Sequence, residues 1–147
     1  MCLSYLSVPV LNFSVTKAGD FIDASSAAVV GDRATRVRAV KEESFHFNGH
    51  LDNKMHQVIA VYYDDMIRAL VDSLKDRLST CRGLPKLTRP IPLVLSGGSA
   101  LPQGFRDRFE SVLNESNLPI SFSEIRLAEN PLQSTAKGAL IAAMIDN

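Results

Sequence analysis

The segment Leu95-Ser96-Gly97-Gly98-Ser99-Ala100-Leu101-Pro102-Gln103-Gly104 holds the residues best suited to chemistry in this chain. Two adjacent glycines remove the Cβ atoms that would keep a ligand off the backbone, and a helix following them would present unpaired N–H groups at its first turn. The apolar run Ile91-Pro92-Leu93-Val94 ahead of them reads as a buried strand. Nucleotide sites are built from a strand, a glycine turn and a helix in this order, so the expected chemistry is ligand binding against backbone.

Other constellations point to less. His46 and His50 are four apart and His56 follows, but a glycine-containing loop separates the first two and no cysteine or third ligand stands in step, so surface histidines are expected and no metal site. Asp64 and Asp65 are adjacent on a helical pattern, which points them about a hundred degrees apart and toward water. Ser96 and Ser99 lack the Gly-x-Ser-x-Gly elbow, and no histidine follows them to complete a hydrolase triad. No Gly-x-x-x-x-Gly-Lys-Ser/Thr occurs, which disfavours a P-loop ATPase. No catalytic residue is assigned.

The elements that must position the glycine turn follow from periodicity. Residues 2–8 and 10–16 read as two strands joined at Pro9, and Asp20 is placed to cap a helix over 21–30 that Gly31 ends. A helix over about 33–43 turns Val37 and Val40 inward, and Phe45-His46-Phe47 reads as a brief strand. The longest periodic segment, about 54–80, carries Ile59, Tyr63, Met66, Ile67, Leu70, Leu74 and Leu78 at three- and four-residue spacing, a core-facing helix stripe. A core strand at 93–95, a helix opening at Pro102 or Gln103 and reaching Glu115, a strand over 120–127 and a helix over 131–145 complete an α/β layer architecture in one domain, 1–147.

Composition bounds the partners. At 147 residues and 46% hydrophobic content the chain can bury a substantial core. Lys+Arg and Asp+Glu are both 16, so no net basic field exists to hold nucleic acid or an anionic membrane, and no nucleic-acid partner is expected. Cys2 and Cys81 have no zinc or disulfide spacing, which fits a reducing compartment and a cytoplasmic location. The first basic residue, Lys17, follows the apolar N-terminus instead of preceding it, against a secretory signal, and no run reaches bilayer length.

Four stretches in order resemble the second half of the actin-like ATPase superfamily, and most closely its bacterial cytoskeletal members of the MreB and MamK type. They are Phe13 to Asp23 around Gly19, Arg38-Ala39-Val40-Lys41-Glu42-Glu43, the glycine turn from Leu95 to Gly104, and Asn130-Pro131 through Lys137-Gly138-Ala139. The resemblance implies half of an actin-like, ribonuclease H-like fold: a mixed sheet covered by helices, lacking its first central strand, with a short outer subdomain near 44–54. It implies an adenosine half-site at Gly19, Arg38, Lys41, Glu42, Gly97, Gly98, Ser99, Ala100 and Leu101. Glu42 would accept from ribose hydroxyls, Lys41 or Arg38 would lie over or beside adenine, and the closing helix would pack small residues under the turn.

The family's phosphate-binding Asp-x-Gly-x-Gly-Thr hairpins are not in this sequence, and Met1-Cys2-Leu3-Ser4-Tyr5 looks like the strand leaving the second of them. The resemblance therefore implies a fragment of an ATP-dependent, filament-forming cytoskeletal protein, of the cell-shape or magnetosome kind. ATP or ADP with magnesium would be the cofactor of the full-length protein, and binding to this chain would be weak or absent. Self-association or a full-length filament protein would be its partner. A stand-alone module that pairs with such a filament protein, or part of a sugar or acetate kinase, are the alternatives.

Overall fold

The computed structural model describes residues 1–145 apart from 7, 50, 52 and 86, so the loop expected at 48–53 lies partly outside the described residues, and His50 wholly so. The chain opens with a hairpin, β1 (Cys2–Tyr5) and β2 (Val8–Asn12), paired antiparallel with a register shift between Leu3 and Ser4. Both strands are shorter than their alternation suggests. Pro9 lies inside β2 opposite Ser4, and the turn comes earlier, at Leu6, which takes a positive φ of 50°.

Helix α1 (Gly19–Val30) begins two residues before the expected start. Its N-cap is Ala18, without a side-chain cap, and Asp20 lies within the first turn, where its carboxylate pairs with Arg38. Gly31 ends the helix as expected, its N–H donating to Ala27 O. Helix α2 (Ala34–Glu43) follows, with Val37 buried and Val40 partly so.

Phe45-His46-Phe47 is not a strand. Phe45 and Phe47 instead fill an aromatic cluster, and Phe47 N donates to Gln103 O at 2.8 Å, so side-chain burial and one long-range bond set this backbone. Helix α3 (Lys54–Thr80) starts where Asn53 Oδ1 accepts from Met55 N and buries the expected stripe, with Val71 added and Leu70 only partly covered. Each fully buried Ile or Val on it contributes about 1.5–3 kcal/mol.

Strands β3 (Ile91–Leu95) and β4 (Phe122–Leu127) pair in parallel around helix α4 (Phe105–Glu115). A short 3-10 turn, Gly98–Ala100, follows the glycine pair. Helix α4 starts at Phe105 instead of Pro102 or Gln103, because Gly104 at φ 84° directs the chain into the helix only there. Helix α5 (Ser134–Ile145) closes the chain with no buried residue.

The result is a mixed α/β domain with five α-helices and two small sheets among the described residues. Strands β1–β2 and β3–β4 share no ladder, and no described strand bridges them. The core lies between α1, α3, α4 and the inner face of β3, where Leu93 and Leu95 point inward while Val94 is exposed. Two ion pairs flank it. Asp64 accepts both Arg108 Nε and Nη2, and Asp65 takes Lys17 Nζ at 2.6 Å, so the adjacent carboxylates tie α3 to α4 and to the segment before α1.

Candidate functional site

Helices α1 and α2 and the turn after β3 enclose a cleft of about 640 Å³, within the range of small-molecule sites. Gly19 and Asp20 open α1 at one side, and Arg38, Lys41 and Glu42 descend along α2. Gly98, Ser99, Leu101, Pro102 and Gln103 form the facing wall, and Phe45, Tyr63 and Leu132 are also in the lining. Of the residues expected at a site, Gly97 and Ala100 are not among the lining. Gly97, at φ 104°, shapes the turn, and Ala100 is buried in the core.

The walls approach closely at Gly19. A Cβ there would lie 3.3 Å from Ser99 Oγ and 3.5 Å from Lys41 Nζ, so a side chain would fill the space between α1 and the turn. The turn is held from behind by the segment ahead of α5: Gly97 N donates to Pro131 O at 2.9 Å, and Ser96 Oγ to the same oxygen at 2.8 Å. Leu132 Cδ2 would lie 3.6 Å from a Cβ on Gly98. The support expected from the small residues of the closing helix comes instead from Pro131 and Leu132, and Gly138 has nothing within 4 Å of where its Cβ would be.

Asp23 organises the charge, and sequence reasoning missed it. It is 1% exposed, and a buried carboxylate is stable only when paired. Arg38 Nε donates to its Oδ2 at 2.9 Å, and Lys41 Nζ lies 2.6 Å from its Oδ1 as a close ion pair. Arg38 Nη2 also donates to Asp20 Oδ1 at 2.6 Å, and Lys41 Nζ to Gly19 O at 3.3 Å. The hydrogen bond to Asp23, then its charge and that of Asp20, raise the Arg38 pKa, keeping the guanidinium cationic. Lys41 is thus a buried strut between α2 and α1, not a free cation over the cleft, while Glu42 is exposed on the lining. The available signal was spacing: Asp20 and Asp23 are three apart on one helix, as are Arg38 and Lys41 on the next.

Tyr63 was legible only as a core residue of the α3 stripe. It is fully buried, stacked on Phe45 at 5.3 Å and 5°, with Phe47 and Phe105 set edge-on at 5.3 and 6.0 Å. Its hydroxyl has no hydrogen-bond partner among the described residues, a deficit that costs about 1–3 kcal/mol when nothing fills it. Burial chiefly, then the Asp23 and Glu42 carboxylates, push its pKa well above the ordinary phenol value, so it remains a donor at neutral pH.

A family model described as Volactin matches residues 1–143. The chain belongs to the Volactin family. No curated protein shows significant similarity to it. This membership overturns the assignment to the actin-like ATPases of the MreB and MamK type, and with it the reading as a fragment of a filament-forming cytoskeletal or magnetosome protein and its module and kinase alternatives. The physical reason is that each motif behind that assignment is short and local. Strand, glycine pair and helix, or a basic–acidic pair on a helix, are solutions that unrelated chains reach by the same backbone rules.

In this Volactin-family domain, no group of three or more His, Cys, Asp or Glu side chains among the described residues is placed to hold a metal ion. His46 is exposed on the cleft lining, and His56 Nε2 lies 3.2 Å from Ser44 Oγ. Among the described residues no helix is long and apolar enough to cross a membrane.

Proposed function

We propose that this Volactin-family domain is a small-molecule binding module whose cleft takes a nucleoside or nucleotide, with adenine nucleotides as the first candidates. The observation that carries the reading is the meeting of Gly19, Glu42, Gly98, Ser99 and Leu101 in one open cleft over the buried Phe45 and Tyr63. Glu42 supplies a carboxylate for vicinal hydroxyls, and the glycine backbone admits a flat ring at close range. Any magnesium would arrive on the nucleotide's own phosphates. Affinity should be weak, about millimolar, since few charged side chains on the lining are free of intramolecular partners.

The test is an amide chemical-shift titration with adenosine and ADP. Shifts concentrated at Gly19, Glu42, Gly98 and Ser99, and weakened by Glu42→Ala, are the expected result. Shifts that scatter over the surface, or none at about 10 mM, would end the proposal.

A second reading concerns partners and rests on α5. Its Leu140, Ile141, Met144 and Ile145 are 51–76% exposed, an apolar surface on a helix with no buried residue. We propose self-association through this helix. Sedimentation should show a species heavier than one chain that Ile141→Glu returns to a monomer; a monomer at the highest attainable concentration would refute it.

A further inference from the structure

We infer that the cleft discriminates against phosphate, taking the unphosphorylated nucleoside in preference to the free nucleotide anions, because the charges left unmatched on its wall are the exposed carboxylates of Glu42 and Glu43. This rests on the reading of the cleft as a nucleoside site and goes beyond it by choosing between the neutral and the anionic forms of that ligand. Two observations converge, one from charge and one from hydrogen-bond donors.

Four carboxylates line the cleft, Asp20, Asp23, Glu42 and Glu43, against two cations, Arg38 and Lys41. Both cations are committed. Lys41 Nζ pairs with Asp23 Oδ1, and Arg38, although half exposed, holds Asp23 through Nε and Asp20 through Nη2. Glu42 and Glu43 are exposed, form no ion pair among the described residues, and leave the lining with two surplus negative charges when His46 is neutral. The helix ends do not reverse this balance. Helix α1 brings its N-terminus to the cleft at Gly19 and α2 its C-terminus at Glu43 and Ser44, and their partial charges of about +0.5 and −0.5 oppose each other.

The glycine turn offers a phosphate little more. Gly97 N donates to Pro131 O, Ala100 N to Gly97 O and Leu101 N to Gly98 O, so three of its N–H groups are already engaged. Ribose hydroxyls meet the opposite situation, since they can donate and a carboxylate accepts. A neutral sugar gains from Glu42, whereas a phosphate in the same place is repelled by it.

The experiment is a chemical-shift titration of the full chain with adenosine, AMP and ADP in magnesium-free buffer at pH 8, where histidine is ordinarily neutral, read at Gly19, Gly98 and Ser99. At about 20 mM salt AMP should bind about fivefold more weakly than adenosine and ADP more weakly still, and about 300 mM salt should narrow the gap. Glu43→Gln should raise the affinity for AMP about twofold relative to adenosine. Asp72→Asn, the same charge change on an exposed residue outside the cleft, should leave that ratio where it was. AMP bound as tightly as adenosine, or more tightly, would overturn the inference and leave the cleft reading standing. An equal effect of the two variants would also overturn it, by tracing the discrimination to the charge of the whole chain. No adenosine binding by the parent at about 10 mM would remove both.

Discussion

Lys41 Nζ lies 2.6 Å from Asp23 Oδ1, with both side chains withdrawn from water, so helices α1 and α2 are joined by a buried ion pair at the edge of the candidate cleft. A pair of this kind is not a strong source of stability, yet breaking it strands a charge. Asp23→Ala should therefore cost about 3 kcal/mol in urea unfolding, whereas Asp23→Leu combined with Lys41→Met should cost much less than the two single changes added. Additive losses would show that the two side chains act independently.

Tyr63 predicts an alkaline limit. Its folded pKa is raised, so above the unfolded value of about 10 the unfolded chain loses the phenol proton first and the folded state keeps it. The unfolded state then binds fewer protons, and stability falls as pH rises, by up to about 1.4 kcal/mol per pH unit for this one group. Below pH 9 the effect is absent. Melting curves from pH 8 to 11.5 should decline less steeply for Tyr63→Phe than for the parent; parallel curves would contradict the assignment.

Arg108 and Asp64 form a two-bond fork between α4 and α3, with Nε to Oδ1 at 2.6 Å and both groups about one-third exposed. Lysine cannot reproduce the fork, so Arg108→Lys should lose about as much as Arg108→Ala. A double-mutant cycle with Asp64→Ala should give a coupling near 1 kcal/mol. Coupling near zero would mark the pair as a surface contact without energetic consequence.

Gly104 combines a positive φ with a crowded site. A Cβ there would collide with Asn48 Oδ1 and Phe47 Cβ, so Gly104→Ala adds steric displacement to about 1–2 kcal/mol of left-handed strain. The change should destabilise by about 2 kcal/mol or more and release the Phe47 N–H from Gln103 O, read as faster amide exchange at Phe47.

The glycine turn at Gly98 and Ser99 could be anticipated from its own residues, whereas Gly19, Arg38, Lys41, Glu42 and Leu101 were expected through the resemblance alone; all of them line the cleft. The chemistry of the cleft could not be anticipated either way. Asp23 was invisible as a site residue because its importance comes from being enclosed between Arg38 and Lys41, and enclosure is not a property of neighbours in sequence. Lys41 illustrates the reverse case: named as a ligand group, it is instead committed to Asp23 and Gly19.

By itself the sequence determined the helices that obey a strong period or a terminal signal. The ends of α3 match its apolar stripe, and Gly31 ends α1 where its type predicts. Such features depend on residues within about four positions of one another. The tertiary structure alone decided that Phe45 and Phe47 enter an aromatic cluster instead of a ladder, and that an apolar α5 stays uncovered. Each of these outcomes turns on which distant surface is available to pack against, a quantity that local periodicity does not carry.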